Sequence, residues 1–312
     1  MVNVLDQYVS DRVSLYNGDS VEVLKGLPDN CIHYSIFSPP FSSLYTYSNS
    51  DRDMGNSASD AQFNTHFKFL IRELARVIMP GRLVSVHCMD IPKMKSRDGV
   101  IGLKDFPGEI IRDFEAAGFI YHSRVVVWKD SLVEATRTKA LGLMHKQLCK
   151  DSSMCRNGLP DYVVTFRKPG DNPEPIPHDD GLKRFYGADE PEGVKTLAPL
   201  PEPTPIYSHQ VWRRYASPVW MDIRQSNTLN KAAARDEKDE RHICPLQLDL
   251  IARCLELWTN PNDIVLDPFA GIGSVPVVAL QMGRRGLGFE LKESYYKQMV
   301  LNCKEEENHD ED

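Results

Sequence analysis

Two short segments carry residues able to do chemistry, and they lie far apart in the chain. Near the N-terminus an apolar run ends in Ser38-Pro39-Pro40-Phe41. This segment offers a hydroxyl, the Pro39 carbonyl, a backbone stiffened by two prolines, and an aromatic ring. Such a set can accept the protons of a planar amine while the ring stacks on the group that bears it. The second segment, Asp267-Pro268-Phe269-Ala270-Gly271-Ile272-Gly273-Ser274, follows another apolar run. Gly271 and Gly273 permit a sharp turn and a close ligand approach, and a helix starting near Ser274 points its amides at the same space. Further on, the strand-like run Gly286 to Phe289 ends in Glu290, an acid placed to hydrogen-bond a ribose diol. Strand, glycine turn, helix and acid together predict a nucleoside-containing cofactor. The form Asp-Pro-Phe-x-Gly-x-Gly differs from the phosphate-binding Gly-x-Gly-x-x-Gly, so the cofactor need not be a dinucleotide. Each motif also has a plainer reading, as a strand with a proline turn and as a glycine turn used for packing.

The elements that must position these groups follow a regular rhythm. Residues 12–16 read as a strand stopped by Asn17-Gly18-Asp19, followed by a short helix from Val21 to Lys25. Cys31 to Phe37 is a second strand, which delivers Ser38. Residues 42–60 have loop chemistry. Phe63, Phe67, Leu70, Ile71, Leu74 and Ile78 recur at helical spacing, and Pro80-Gly81 should end that helix. Leu83 to His87 reads as a strand. Asp105 caps a helix carrying Ile110, Ile111 and Phe114, and Ile120 to Trp128 reads as the next strand. This alternation predicts an α/β fold with a mostly parallel sheet and helices on both faces. From 130 to 160 no period persists, Tyr162 to Phe166 reads as one more strand, and 169–205 is proline-rich connection. Regularity returns after Pro245, with a helix through Leu250, Ile251, Cys254, Leu255 and Trp258, a buried strand from Ile264 to Leu266, and a last helix with Tyr295, Met299 and Val300.

Composition sets bounds on this picture. The 312 residues suffice for one large α/β domain with an insertion. The start shows neither the basic flank nor the apolar stretch of a signal peptide, and no run is long enough to span a bilayer. The seven cysteines form no C-x-x-C pair, which suits reduced thiols in a cytosolic chain. His242 and Cys244 lack a second ligand pair at metal spacing, so no metal is expected. The net charge of −7 is partly local: Glu305, Glu306, Glu307, Asp310, Glu311 and Asp312 form a tail expected to be disordered. Basic residues gather elsewhere, among them Arg124, Lys129, Arg137, Lys139, Lys146 and Arg156, so a phosphate-facing surface is compatible with the net charge.

The two motifs, in this order, resemble those of the beta group of DNA amino-methyltransferases, whose catalytic motif precedes a target-recognition region and whose cofactor motif comes last. The resemblance covers about 12–130 and 241–303. It implies a Rossmann-like methyltransferase fold with circularly permuted motif order plus a variable insertion. Residues 1–130 would be the catalytic half, 131–240 the recognition insertion with one sheet strand near 162–166, 241–304 the cofactor half, and 305–312 an acidic tail. The implied cofactor is S-adenosyl-L-methionine, held by Asp267, Pro268, Phe269, Gly271, Gly273, Ser274 and Glu290. Asp19 would meet its adenine amine, although an aspartate there also suits a turn or a helix cap. The His242–Gln247 segment loosely matches a His- and Pro-containing segment of the group.

In this group a serine at the first catalytic position goes with cytosine N4, and an aspartate or asparagine with adenine N6. Ser38 therefore implies transfer to the N4 amine of a cytosine flipped out of duplex DNA, with Pro39, Pro40 and Phe41 completing the site. Adenine N6 is the alternative within the group. An RNA adenine methyltransferase would carry an aspartate-and-tryptophan tetrapeptide, and a catalytically silent nucleic-acid-binding relative would not need both motifs intact. The candidate DNA contacts are Arg137, Lys139, Lys146 and Arg156 in the aperiodic stretch, and Arg213, Arg214 and Arg224 among the aromatics. The aromatics at 206–224 also suit a small satellite core. The expected location is the cytoplasm of a bacterial or phage-infected cell. The resemblance leaves room for a homodimer and for a cognate restriction endonuclease as partners.

Overall fold

Apolar runs with period two and amphipathic runs of helical period alternate through the first 130 residues, and the chain folds accordingly. The computed structural model describes residues 4–40, 60–93, 95–138, 140–188, 205–230 and 245–309. In chain order the first elements are β1 (Val4–Val9), β2 (Val13–Gly18), α1 (Ser20–Lys25), β3 (Ile32–Phe37), α2 (Asp60–Val77) and β4 (Ile78–Cys88). They are followed by β5 (Ile91–Lys93), α3 (Lys95–Asp98), β6 (Gly102–Lys104), α4 (Phe106–Ala116) and β7 (Ile120–Val127). Then come α5 (Ser131–Thr138), α6 (His145–Leu148), β8 (Asp161–Arg167), α7 (Pro205–Tyr215) and β9 (Val219–Trp220). The cofactor half holds α8 (Leu248–Trp258), β10 (Ile264–Asp267), α9 (Ser274–Gln281), β11 (Arg285–Glu290) and α10 (Glu293–His309). Among the described residues no helix is long and apolar enough to cross a membrane.

Among the described residues nine strands form one sheet in the order β1-β2-β11-β10-β3-β4-β8-β7-β9. The central pairs β2/β11, β11/β10, β10/β3 and β3/β4 are parallel, while β4/β8 and β8/β7 are antiparallel. Alternation along each central strand sends side chains to two cores. Phe37, Val84, Val86 and Leu266 meet α1, α2 and α4 on one face. Tyr34, Ile36, Val163 and Val265 meet α8 and α9 on the other. On α2, Phe63, Phe67, Leu70, Ile71 and Leu74 are all buried. Each contributes about 1.5–3 kcal/mol relative to exposure, so this one stripe fixes the helix on the sheet.

Several expectations need correction. The helical period runs through Ile78, but α2 stops at Val77 and Ile78 pairs with Ile32 as the first residue of β4. Backbone pairing with β3 outweighs helical propensity at two adjacent β-branched residues. Pro80-Gly81 therefore interrupts a strand rather than ending a helix; Gly81 takes φ +73° and its amide donates to the Lys168 carbonyl at 3.0 Å. Pro245 lies ahead of α8, whose N-cap is Gln247. The acidic tail is ordered through His309: Glu307 accepts from the Tyr8 hydroxyl at 2.8 Å, and Glu306 accepts from Gln281 at 2.8 Å. Finally, the 131–240 stretch is woven into the sheet more deeply than one strand implied. β9 pairs with β7, and Trp220 is buried against α8 residues.

Candidate active site

The chain runs from β3 to β4 on one side of the sheet and from β10 to β11 on the other, so strand order reverses between β3 and β10. Ligands of open α/β sheets sit at the carboxyl ends of strands at such a point. β3 and β10 are direct neighbours, with Val265 beside Tyr34 and Leu266 beside Ser35. The two motifs thus leave adjacent strands at the same edge, and the Phe37 and Phe269 rings meet with centroids 5.7 Å apart. Ser38, Pro39 and Pro40 line that edge. Phe41 lies outside the described residues, as do Lys139, His242 and Cys244.

The glycine turn is held from three sides. The Ala270 amide donates to the Phe289 carbonyl at 2.9 Å, Asn302 of α10 donates to the Ile272 carbonyl at 2.8 Å, and the Ser20 hydroxyl donates to the Pro268 carbonyl. Gly271 takes φ +55° and Gly273 φ +94°, both left-handed. Among the described residues a Cβ on Gly271 would meet no atom within 4 Å, whereas one on Gly273 would lie 2.8 Å from Met299 Cγ. Gly273 is therefore required by packing against α10, and Gly271 faces open space at the crevice. Glu290 closes the rim. One of its oxygens accepts from the Gly271 amide at 2.9 Å and the other from the Lys292 amide at 2.8 Å. An open cradle under Gly271 beside an anchored carboxylate fits a ribose-bearing cofactor, because each carboxylate oxygen can accept a second hydrogen bond.

Asp19 reaches the same edge, since β2 runs parallel to β11 with Asn17 beside Glu290. One of its oxygens caps α1 by accepting from the Glu22 amide at 3.0 Å. The capping role is thus observed. Ser274, buried, opens α9 directly after Gly273.

Asp267 is buried below the turn, and its carboxylate accepts from the Phe269 amide at 2.8 Å. Burial raises its pKa to about 8, against the lowering effect of that amide and with a further rise from the Glu290 charge. The unfolded chain ionises this group near 4 and the folded chain near 8, so the folded state holds the extra proton between. Its stabilising contribution is full below about pH 4 and is lost as pH rises through 8. Asp267→Asn removes this loss. In thermal unfolding the variant should gain on wild type between pH 5 and pH 9, by roughly 2–4 °C in Tm for each kcal/mol of linkage. Parallel curves for the two proteins would show that Asp267 ionises normally.

Beside Ser38 stand three residues that motif reading missed. His87 Nδ1 lies 3.3 Å from Ser38 Oγ, and His87 Nε2 lies 3.3 Å from Asp161 Oδ2. Lys129 Nζ donates to Asp161 Oδ1 at 2.6 Å. Burial raises the Asp161 pKa, but the charge of His87 and the charge and hydrogen bond of Lys129 outweigh it and hold the group at about 2. The available signal was a polar residue closing the apolar strand Leu83 to His87 at the carboxyl edge.

The candidate DNA residues divide by what the fold does with them. Arg214 is tied to buried Asp222 and stacks over Phe185, 4.7 Å from the ring centroid. Arg224 grips Asp249, and Arg156 pairs with Glu134. Lys146 and Arg213 are exposed. Arg137 belongs to α5, with its side chain outside the described part of the structure. The aromatics around them split likewise: Tyr215 and Val211 build a satellite core with Leu182, while Trp212 is 55% exposed. A cleft of about 690 Å³ opens next to Lys129, lined by Trp128, Met144, His145, Arg156 and Asn157. At the opposite edge of the sheet His33, Glu174 and Asp263 converge. The buried Arg82 guanidinium, 3.1 Å from Asp263 and 3.8 Å from Glu174, offsets part of their charge and opposes a metal ion there.

An open sheet whose glycine turn and Ser38-Pro39-Pro40 segment meet at its switch point suits a methyltransferase, and comparison with known proteins agrees. The family model described as DNA methylase, N6 and N4 type, matches residues 32–301, and the chain belongs to that family. Type II methyltransferase M.BamHI of Bacillus amyloliquefaciens is 26% identical over 292 residues, covering 91% of this chain and 56% of that one. The chain spans 56–66% of the length of the first curated relatives it matches. Among solved structures, a candidate DNA modification methylase from Thermus thermophilus, complexed with S-adenosyl-L-methionine, matches with TM-score 0.65. It is 21% identical, and the match covers 95% of this chain and 94% of that one. The cytosine-N4-specific PvuII DNA methyltransferase matches with TM-score 0.60 at 18% identity, covering 96% of this chain and 90% of that one. At these identities the structural likeness establishes the fold.

Proposed function

We propose that this chain transfers a methyl group from S-adenosyl-L-methionine to the N4 amine of a cytosine flipped out of duplex DNA. The observation that carries the reading is the adjacency of β3 and β10, which brings Ser38 and the Gly271 turn to one crevice. The DNA methylase family supports DNA as the substrate, and the cofactor complex of the Thermus relative supports the methyl donor. Gly271 and Gly273 would take the methionine end, Glu290 the ribose and Asp19 the adenine. When bound, the cofactor supplies an electrophilic methyl on a positively charged sulfur.

The protein's share is to make a poor nucleophile competent. The lone pair of the cytosine amine is delocalised into the ring. Acceptors on its two protons, the Ser38 hydroxyl and the Pro39 carbonyl, favour a pyramidal nitrogen with its lone pair directed at the methyl. The two prolines hold those acceptors in place before the base arrives. The cytosine assignment rests on Ser38 at the first catalytic position. The same reading places the enzyme in the cytoplasm of a bacterial or phage-infected cell, acting alone or beside a cognate endonuclease, as a monomer or homodimer.

The test is incubation of unmodified plasmid DNA with methyl-labelled cofactor, followed by nucleoside mass spectrometry. N4-methylcytosine is expected. N6-methyladenine as the only product would transfer the assignment to adenine, and no labelled nucleoside would overturn it. DNA binding is tested at the two exposed cations. Lys146→Glu and Arg213→Glu should each weaken DNA binding, with cofactor affinity unchanged. Each should also lower the salt slope of log K by about one for every phosphate that is no longer neutralised. Unaltered DNA affinity would move the contact surface elsewhere. Reversal at Arg214 or Arg224 is a poorer test, since it also breaks a pair with Asp222 or Asp249.

A further inference from the structure

Alternation along the strands gathers polar groups on one face of the sheet in two successive rungs. Tyr34, Ile36 and Ser38 share that face with Ser85 and His87 of β4 and with Asp161, Val163 and Thr165 of β8. In the lower rung the Tyr34 hydroxyl donates to Ser85 Oγ at 2.7 Å, and Ser85 Oγ lies 2.9 Å from Thr165 Oγ1. The upper rung, at the carboxyl edge, is Ser38, His87 and Asp161, with Lys129 behind. His87 is 8% exposed and Asp161 5%.

The proton positions in the upper rung follow from what each group can do. The Lys129 ammonium has only donors, and it takes Asp161 Oδ1. Oδ2 is left for the imidazole. The 3.3 Å contact lies outside hydrogen-bond geometry, but a carboxylate that close repels a bare nitrogen lone pair, so Nε2 carries the ring proton and Nδ1 is bare. A bare Nδ1 accepts, and the Ser38 hydroxyl is the donor beside it. The Ser38 proton then points into the protein, and the Oγ lone pairs face the crevice. Had Nδ1 carried the proton, it would donate to Oγ and turn the hydroxyl proton outward, the wrong polarity for holding an amine.

We propose that His87, with its tautomer set by Asp161 and Lys129, is a positioning residue that makes Ser38 an acceptor and takes up the proton the amine releases. This rests on the methyltransferase reading. Methyl transfer would form the N–C bond as the methyl–sulfur bond breaks with its electron pair left on sulfur, which becomes neutral, and the nitrogen gains a fourth bond and the positive charge. One N–H proton passes to Ser38 Oγ while the hydroxyl proton passes to His87 Nδ1, and the N–H electron pair returns to nitrogen. The products are a neutral methylamino base and an imidazolium facing Asp161, which discharges to water once the product leaves. Among the described residues the charged groups facing the ring are Asp161 of β8 and Lys129 from the segment after β7. Arg124 of β7 is turned to Tyr162, 5.4 Å from its ring centroid, and Asp90 after β4 bonds the same tyrosine, which alternation puts on the other face.

The test combines spectroscopy of the full-length protein with single-turnover rates on unmodified plasmid DNA. In ¹⁵N-histidine spectra near pH 8, the signal absent from His87→Gln should show a proton on Nε2. In Asp161→Asn, Lys129 claims the amide oxygen, the NH₂ faces Nε2, and the ring proton moves to Nδ1. The rate should fall by about 10²–10⁴ with DNA and cofactor affinities unchanged. Adding Lys129→Met frees the amide to turn its oxygen to the ring and should recover part of the rate. An Nδ1 proton in the wild type, or wild-type rates in His87→Gln and Asp161→Asn, would overturn the proposal. So would a double variant no faster than Asp161→Asn. If the wild type methylates nothing, the methyltransferase reading fails, and the tautomers in wild type and Asp161→Asn still decide the orientation of Ser38.

Discussion

Ser38→Ala should lower the single-turnover methylation rate by about 10²–10³, the loss that follows removal of one preorganised hydrogen-bonding group from a transition state. The affinities for DNA and cofactor should stay close to wild type. The hydroxyl matters most when the amine nitrogen becomes pyramidal and acquires charge, and little while the base is merely bound. Stability should hardly change, because Ser38 is half-buried and its side chain meets His87 at 3.3 Å, a long contact. The informative measurements are rapid-quench turnover with enzyme in excess and equilibrium binding of each ligand. A rate equal to wild type would mean that backbone carbonyls alone hold the amine. A loss of DNA affinity without a loss of rate would make Ser38 a binding residue.

Gly271→Val is expected to reduce S-adenosyl-L-methionine affinity below detection while leaving a folded protein. Two effects act at this position. A valine at φ +55° strains the backbone by about 1–2 kcal/mol or more. Its side chain would stand in the open space above Gly271, where no atom of the described residues lies within 4 Å and where we propose that the cofactor sits. Gly283 separates the two. It has φ +69° and equally open surroundings, but it sits between α9 and β11 at the opposite edge of the sheet. Gly283→Val should lower Tm as much as Gly271→Val does, with cofactor affinity intact. Calorimetric titration of both variants gives the answer, and equal affinities would remove the turn from the cofactor site. Gly273→Val is a less selective probe, because its Cβ would also collide with Met299 of α10.

Sequence alone determined what depends on neighbours along the chain. The strands ending at Ser38, Asp267 and Glu290 were legible because central parallel strands are apolar throughout and end where polar or glycine residues begin. α2 and α4 were legible from their helical stripes, and the Asp105 cap from its residue type, borne out by its bond to the Gly108 amide at 2.8 Å. The glycine turn and Glu290, which binds it, were legible because the glycines and the acid have fixed spacing. Tertiary structure decided what depends on neighbours across the sheet. It set β3 beside β10, and it turned Ile78 from helix to strand by pairing it with Ile32. It assigned Arg214 and Arg224 to internal ion pairs, although a guanidinium bound to a carboxylate and one awaiting a phosphate look identical in sequence. It joined Ser38, His87, Lys129 and Asp161, which come from separate elements and share no spacing rule. Local propensities and turn requirements act over a few residues, so they are written in the sequence. Register and strand order are long-range outcomes of burying both faces of one sheet, and only the fold puts those four side chains within reach of one another.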